Sequence, residues 1–185
     1  QLGGEAAWKL RAAIAATSVP TYGIYAGYEL MESVARPGAQ EQIDNEKYQY
    51  KDRRWWNYEP GGIDEGRSLA GWLTMLNRIR REHPALHVLR NLALHSADDE
   101  NVLVYSKRRV LPDGTDDTIV VAVNLDPHAT RETTIRLDMG ALGMLGHDTF
   151  AAHDLVTGQT WEWGQANYVR LGRDTEPVHI VHVRR

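Results

Sequence analysis

Cysteine is absent from these 185 residues, so no disulfide framework and no cysteine nucleophile is available, and a reducing compartment is mildly favoured. Long apolar runs are absent too. Nothing approaches the roughly 20 residues that a membrane-spanning helix needs, and no apolar stretch follows a basic start as in a signal peptide. No membrane partner is expected, and the setting expected is cytoplasmic. Positive charge is not in excess: 21 Lys and Arg stand against 25 Asp and Glu, a formal net charge of -4. That balance offers no general attraction for nucleic acid or an anionic surface. Internal repeats and low-complexity linkers are not visible either. The chain opens on Gln1, Leu2, Gly3 and Gly4 without Met, and the Ala-rich segment that follows needs something to pack against. The interior of a longer protein is expected.

The usual short motifs of chemistry fail one by one. Gly140, Gly143 and Gly146 are spaced three apart, which misses the dinucleotide fingerprint, and no strand-to-helix context surrounds them. His179 and His182 sit in a strand pattern, where a three-residue step puts them on opposite faces. His83 and His87 straddle Pro84, which breaks the helix that would align them. No metal site and no cofactor is therefore expected. Ser18, Ser33, Ser68, Ser96 and Ser106 lack the strand-turn-helix context of a hydrolase nucleophile.

What is present divides by period. A composition of 42% hydrophobic and 25% charged residues is that of an ordinary globular chain. Residues 5–16, EAAWKLRAAIAA, are strong helix formers with Trp8, Ala12 and Ala15 or Ala16 on one face. After Pro20 the run TYGIYAGYEL turns to Tyr, Ile and Gly, and predicts a short buried strand over 22–26. Further on, Leu69, Trp72, Leu73, Leu76 and Ile79 recur at steps of three and four, with Arg78, Arg81 and Glu82 opposite and Pro84 as a stop. Helix, strand, loop and helix make one and a half units of an alternating α/β architecture, too little to close a sheet alone. From about residue 89 the helical period vanishes. Seven short β-branched or aromatic runs, separated by PDGTDD, NLDP and DLVTG turns, predict an all-β sandwich. Trp161 and Trp163 alternate with Glu162 and are expected to face the interface between the two halves together.

Between strand and second helix lies QEQIDNEKYQYKDRRWWNYEPGGIDEG, residues 40–66, with eleven charged side chains and five Tyr or Trp rings. Unstructured loops beyond about 12–15 residues are uncommon in compact domains and tend to bind ligands. Tyr48, Tyr50, Trp55, Trp56 and Tyr58 offer faces for sugar rings, and Asp44, Asn45, Glu46 and Lys47 offer hydrogen bonds for hydroxyls. Packing the loop onto its scaffold is the plainer use of Trp55, Trp56 and Tyr58.

These residues carry a resemblance. VPTYGIYAGYELME, followed by LNRIRREHPAL, is similar to the last barrel strand and helix of the α-amylase superfamily (glycoside hydrolase family 13). NVLVYSKRR, IVVAVNL, HDLVTGQTWEWG and NYVRL resemble that superfamily's C-terminal β-sandwich. More narrowly, AAWKLRAAIAATSVPTYGIYAGYELMESVARPGAQEQIDNEKYQYKDRRW resembles the bacterial GlgE-type maltosyltransferases, with ARPGAQEQIDNEKYQYK as the most specific part. The resemblance implies an α/β plus all-β fold. Residues 1–87 would be the C-terminal end of a catalytic (β/α)8 TIM barrel, with a donor-site loop over 32–67, and residues 88–185 a C-terminal antiparallel β-sandwich. It also implies a retaining glycosyltransferase that passes maltosyl from α-maltose 1-phosphate to the non-reducing end of an α-1,4-glucan, releasing phosphate.

In such catalysis an aspartate nucleophile and a glutamate acid/base stand roughly 5–5.5 Å apart. The family carries these groups, with a second aspartate, on earlier barrel strands, so no catalytic residue falls within this chain. The family's donor-contacting Lys-Tyr pair maps onto Lys47 and Tyr48, and its barrel-top support onto Glu29. Implied partners are the remaining barrel segment of the same protein, maltose 1-phosphate, the glucan and a second subunit in a homodimer. Two alternatives stay open: another amylase-superfamily enzyme, hydrolytic or trehalose-forming, and a stand-alone non-catalytic glucan-binding or structural module.

Overall fold

The computed structural model describes residues 3–40, 42–43, 50–172 and 174–185. Lys47 and Tyr48 lie outside the described residues. Helix α1 (Gly4–Ser18) buries Leu10, Ala12, Ala13, Ala16 and Thr17. Its small side chains let α2 (Ala70–Glu82) come close, and α2 buries Trp72, Leu73, Leu76 and Ile79 at the spacing read from the sequence. Arg80 of α2 closes the end of α1 by donating to the carbonyls of Ala16, Val19 at 2.9 Å and Pro20 at 2.5 Å. A charged fork there satisfies acceptors that a helix terminus otherwise leaves open. Pro84 stops α2 and opens a 3-10 turn, Pro84–His87.

Eight strands follow among the described residues: β1 (Leu92–Ala97), β2 (Val102–Val110), β3 (Asp116–Asn124), β4 (Arg131–Arg136), β5 (Phe150–Asp154), β6 (Thr160–Trp163), β7 (Ala166–Leu171) and β8 (Val178–Arg184). All pairings are antiparallel, in the order β6-β5-β8-β3-β2-β1-β4-β7. Strand β1 joins two layers. Residues 92–95 pair with β2, whereas Ser96 and Ala97 pair with Arg136 and Ile135 of β4.

The pleat sorts the apolar residues into two cores. Ile119, Val121, Val123, Val178, Ile180 and Tyr105 turn toward α1 and α2 and share one cluster with Leu10, Ala13, Leu73, Leu76 and Ile79. Val120, Ala122, Val102, Val104, Val181 and Val183 turn the other way, where Ile135 of β4 and Val169 and Leu171 of β7 meet them. The β4–β7 arm is therefore folded back over the sheet, as in a sandwich. Strand β3 is buried on both faces, which explains its unbroken TIVVAV run.

Three expectations differ from the structure. Residues 22–26 form no strand. A strand is made by pairing, no described residue pairs with this segment, and Ile24 and Tyr25 are 41% and 66% exposed instead of buried. Eight strands form where seven are read from the sequence. The extra one, β1, shows no fully buried face, and Leu92 and Leu94 point outward, so its alternation is blurred. Trp161 and Trp163 do share a face, with rings 6.1 Å apart and nearly parallel at 14°. That face looks into the sandwich core with Phe150, away from the helices.

Candidate functional site

The ornate loop grows from a compact root. Gly27, at φ 98°, starts a 3-10 turn over Tyr28–Leu30, and Met31 follows in the left-handed region at φ 53°. The two reversals bring Glu32 back beside Gly27, whose carbonyl accepts from the Glu32 amide at 3.3 Å. A Cβ on residue 27 would stand 2.3 Å from Glu32 Oε2 and 3.0 Å from Arg53 Nε. Only glycine fits that dihedral and that space together.

Glu32 gathers separate stretches of the loop. Arg53 donates from Nε to Oε1 and from Nη2 to Oε2, both at 3.0 Å, and also from Nη2 to the carbonyl of Ala26 at 3.0 Å. Lys51 Nζ lies 3.3 Å from Oε1, and Gln42 Nε2 donates to Oε2 at 3.4 Å. Beyond this clamp a single bridge pairs Ala35 with Gln42. Burial alone would raise the pKa of Glu32, but the hydrogen bonds and charges of Arg53 and Lys51 outweigh it and hold the carboxyl below its usual range. Such a two-pronged, charge-assisted pair contributes about 1.5–3 kcal/mol. The clamp ties Gln42, Lys51 and Arg53 to one carboxylate, and Ala26 through Arg53.

Glu29, the expected support residue, sits at the same root. Its Oε2 accepts from the Gly27 amide at 3.1 Å, and its carbonyl accepts from the Leu69 amide at 2.7 Å and the Ser68 hydroxyl at 3.3 Å. The start and the end of the 32–67 loop are thus tied to one residue. Trp55 and Trp56 are 44% and 62% exposed and Tyr50 is 89% exposed. Among the described residues, Trp55 and Trp56 are thus only partly covered. Sequence reasoning missed Glu32, Arg53 and Lys51. The available signal was an acid at the loop's entry and a basic cluster, KDRR, at its far side.

The family model described as "GLGE, C-terminal" matches residues 94–183, nearly the whole β-sheet unit. The α-1,4-glucan:maltose-1-phosphate maltosyltransferase 2 of Streptomyces coelicolor is 51% identical over 186 aligned positions, covering 100% of this chain and 26% of the relative. The maltosyltransferase of Corynebacterium glutamicum is 43% identical over 97% of this chain and 26% of its own length. That of Mycobacterium tuberculosis is 40% identical over 99% of this chain and 25% of its own length. The chain spans about a quarter of the length of these curated relatives. The β-sheet unit thus matches the GLGE C-terminal domain, and the chain along its whole length is similar to a portion, about a quarter, of these maltosyltransferases.

Proposed function

We propose that this chain is the C-terminal part of a retaining maltosyltransferase that moves maltosyl from α-maltose 1-phosphate to the non-reducing end of an α-1,4-glucan and releases phosphate. The observation that carries the reading is similarity along the whole chain, loop included, to relatives bearing that name. In this reading residues 1–87 complete a (β/α)8 barrel whose earlier strands hold the catalytic carboxylates, and residues 88–185 form the β-sandwich beside it. The exposed Ile24 and Tyr25 support it, since a barrel strand gains its pairing and burial only when its neighbours are present. The same exposure weighs against a stand-alone module.

Lys47 and Tyr48 contact the maltosyl unit of the donor, Glu29 supports the barrel top, and the Glu32–Arg53 clamp holds the root of the loop. Phosphate is a good leaving group. The family's acid/base glutamate therefore does its heavier work in deprotonating the acceptor hydroxyl. The complete protein works as a homodimer in the cytoplasm.

The test compares, in the complete protein, phosphate release from maltose 1-phosphate plus glucan with sugar release from starch. Phosphate-dependent transfer is expected. Robust starch hydrolysis without it would reject the reading in favour of an amylase. Lys47→Ala is expected to weaken donor use ten- to a hundredfold, the worth of about 1.5–3 kcal/mol for a charged hydrogen bond. Unchanged kinetics would remove Lys47 from the site.

A further inference from the structure

Two histidines that the sequence separates by 99 positions meet over one carboxylate, where the end of α2 rests on the sheet. Strands β3 and β8 pair Ile119 with His182, so His182 and Asp117, two residues before Ile119, project from the same helix-facing side. His83, the residue that caps α2, comes down onto them. His83 Nδ1 lies 2.8 Å from Asp117 Oδ1, His182 Nε2 lies 3.8 Å from the same oxygen, and the two imidazoles are 4.7 Å apart between centroids. One possible ligand atom from each residue falls within 4.8 Å of the other two.

His83 and Asp117 are buried, and Asp117 Oδ2 accepts from the Ala85 amide at 2.7 Å. The carboxylate is thereby oriented by the rigid turn that Pro84 begins. A cavity of about 580 Å³ opens onto His83 and His182. His153, directly across β5 from His182, lines the same cavity, with Glu82 and Asp154 balancing Arg78 and Arg184 in its wall.

We propose that His83, Asp117 and His182 form a binding site for a borderline divalent transition metal of the Zn²⁺ class, with three protein ligands and the remaining position facing the cavity. Two imidazoles and one carboxylate select such an ion over Mg²⁺ or Ca²⁺, which prefer all-oxygen shells. Metal–nitrogen bonds of about 2.0–2.1 Å in a tetrahedral shell separate neighbouring ligand atoms by about 3.3 Å. The 2.8 Å pair has to open, and the 3.8 Å pair to close, by roughly half an ångström each. Binding replaces the hydrogen bond between His83 and Asp117: His83 takes the tautomer with its proton on Nε2, so that a neutral imidazole offers the Nδ1 lone pair to the ion and no net charge is left on the ring. The Ala85 amide keeps its place behind the carboxylate, as outer-shell groups do at metal sites. The bound ion joins the end of α2 to strands β3 and β8, at the seam between the helices and the sheet.

The test is Co²⁺ titration of the metal-free complete protein, read by visible absorption near 500–650 nm, followed by Zn²⁺ competition. The wild type is compared with His182→Gln and with His182→Cys, which restores a ligand at that position. The wild type is expected to hold one more equivalent of Co²⁺ than His182→Gln, with an intense tetrahedral band that Zn²⁺ displaces. His182→Gln is expected to weaken that equivalent at least a hundredfold. His182→Cys is expected to recover it and to add a thiolate-to-metal charge-transfer band. Uptake is counted per folded molecule, so a loss of folding cannot mimic a loss of site. Equal uptake and equal spectra in wild type and His182→Gln would overturn the proposal, as would the absence of a thiolate band in His182→Cys.

Discussion

At the scale of single residues, the loop root depends on Gly27. Its φ of 98° and the 2.3 Å approach of Glu32 Oε2 to a would-be Cβ act together. Gly27→Ala is expected to cost about 1–3 kcal/mol in denaturant unfolding of the complete protein. Gly146→Ala, at an exposed position where a Cβ meets nothing within 4 Å, serves as the control and should be near neutral. Equal costs would show that the turn carries no special constraint.

Asp154 makes a second residue-scale case. Fully buried, it accepts from His179 Nδ1 at 3.0 Å, the Thr157 hydroxyl at 2.7 Å and the amides of Ile180 and Val156 at 3.1 and 3.2 Å. Burial pushes its pKa up, yet His179 and these donors prevail and hold it below the ordinary carboxylate range. A depressed folded pKa means stability that is present above the unfolded value of about 3.9 and is lost as pH falls through the lower folded value. Asp154→Asn should therefore be destabilised relative to the wild type at neutral pH. The gap should narrow as denaturant unfolding is repeated below about pH 4. A gap that stays constant into acid would mean that the charge on Asp154 is not what stabilises the turn.

At the scale of elements, α2 is legible in the sequence because its period and its burial agree. Leu76 and Ile79, on the apolar stripe, are 0% and 2% exposed. Leu76→Ala is expected to cost about 2–5 kcal/mol in thermal or denaturant unfolding, since the cavity left between α1, α2 and the sheet has little room to collapse. A cost below about 1 kcal/mol would mean that the seam is loosely packed. Strands β2 to β8 are equally legible, their β-branched runs being buried on at least one face. Strand β1 is not, because it passes from one layer to the other and exposes Leu92 and Leu94 on the way. The segment 22–26 fails for another reason: no described residue pairs with it, and an apolar pattern alone cannot supply a pairing partner. The candidate site divides likewise. A long aromatic and charged loop marks its place in the sequence, whereas the Glu32–Arg53 clamp joins residues 21 apart, a contact only the folded backbone displays. The meeting of His83 with His182 is hidden for the same reason.

At the scale of the whole molecule, helices and sheet are one unit. Leu10, Leu73, Leu76, Tyr105, Ile119 and Ile180 occupy a single cluster, so α1 and α2 cannot leave the sheet without exposing both. The molecule nevertheless leaves Ile24, Tyr25, Val34, Trp55 and Trp56 exposed along the side where the loop is rooted. In the proposed enzyme that side meets the rest of the barrel and the donor. The most direct measurement of this account is product-length analysis of the complete protein supplied with α-maltose 1-phosphate and a short α-1,4-glucan of defined length. The account predicts products longer by whole maltosyl units, with one phosphate released for each unit added. Free maltose with no extended glucan, or extension without stoichiometric phosphate, would contradict it.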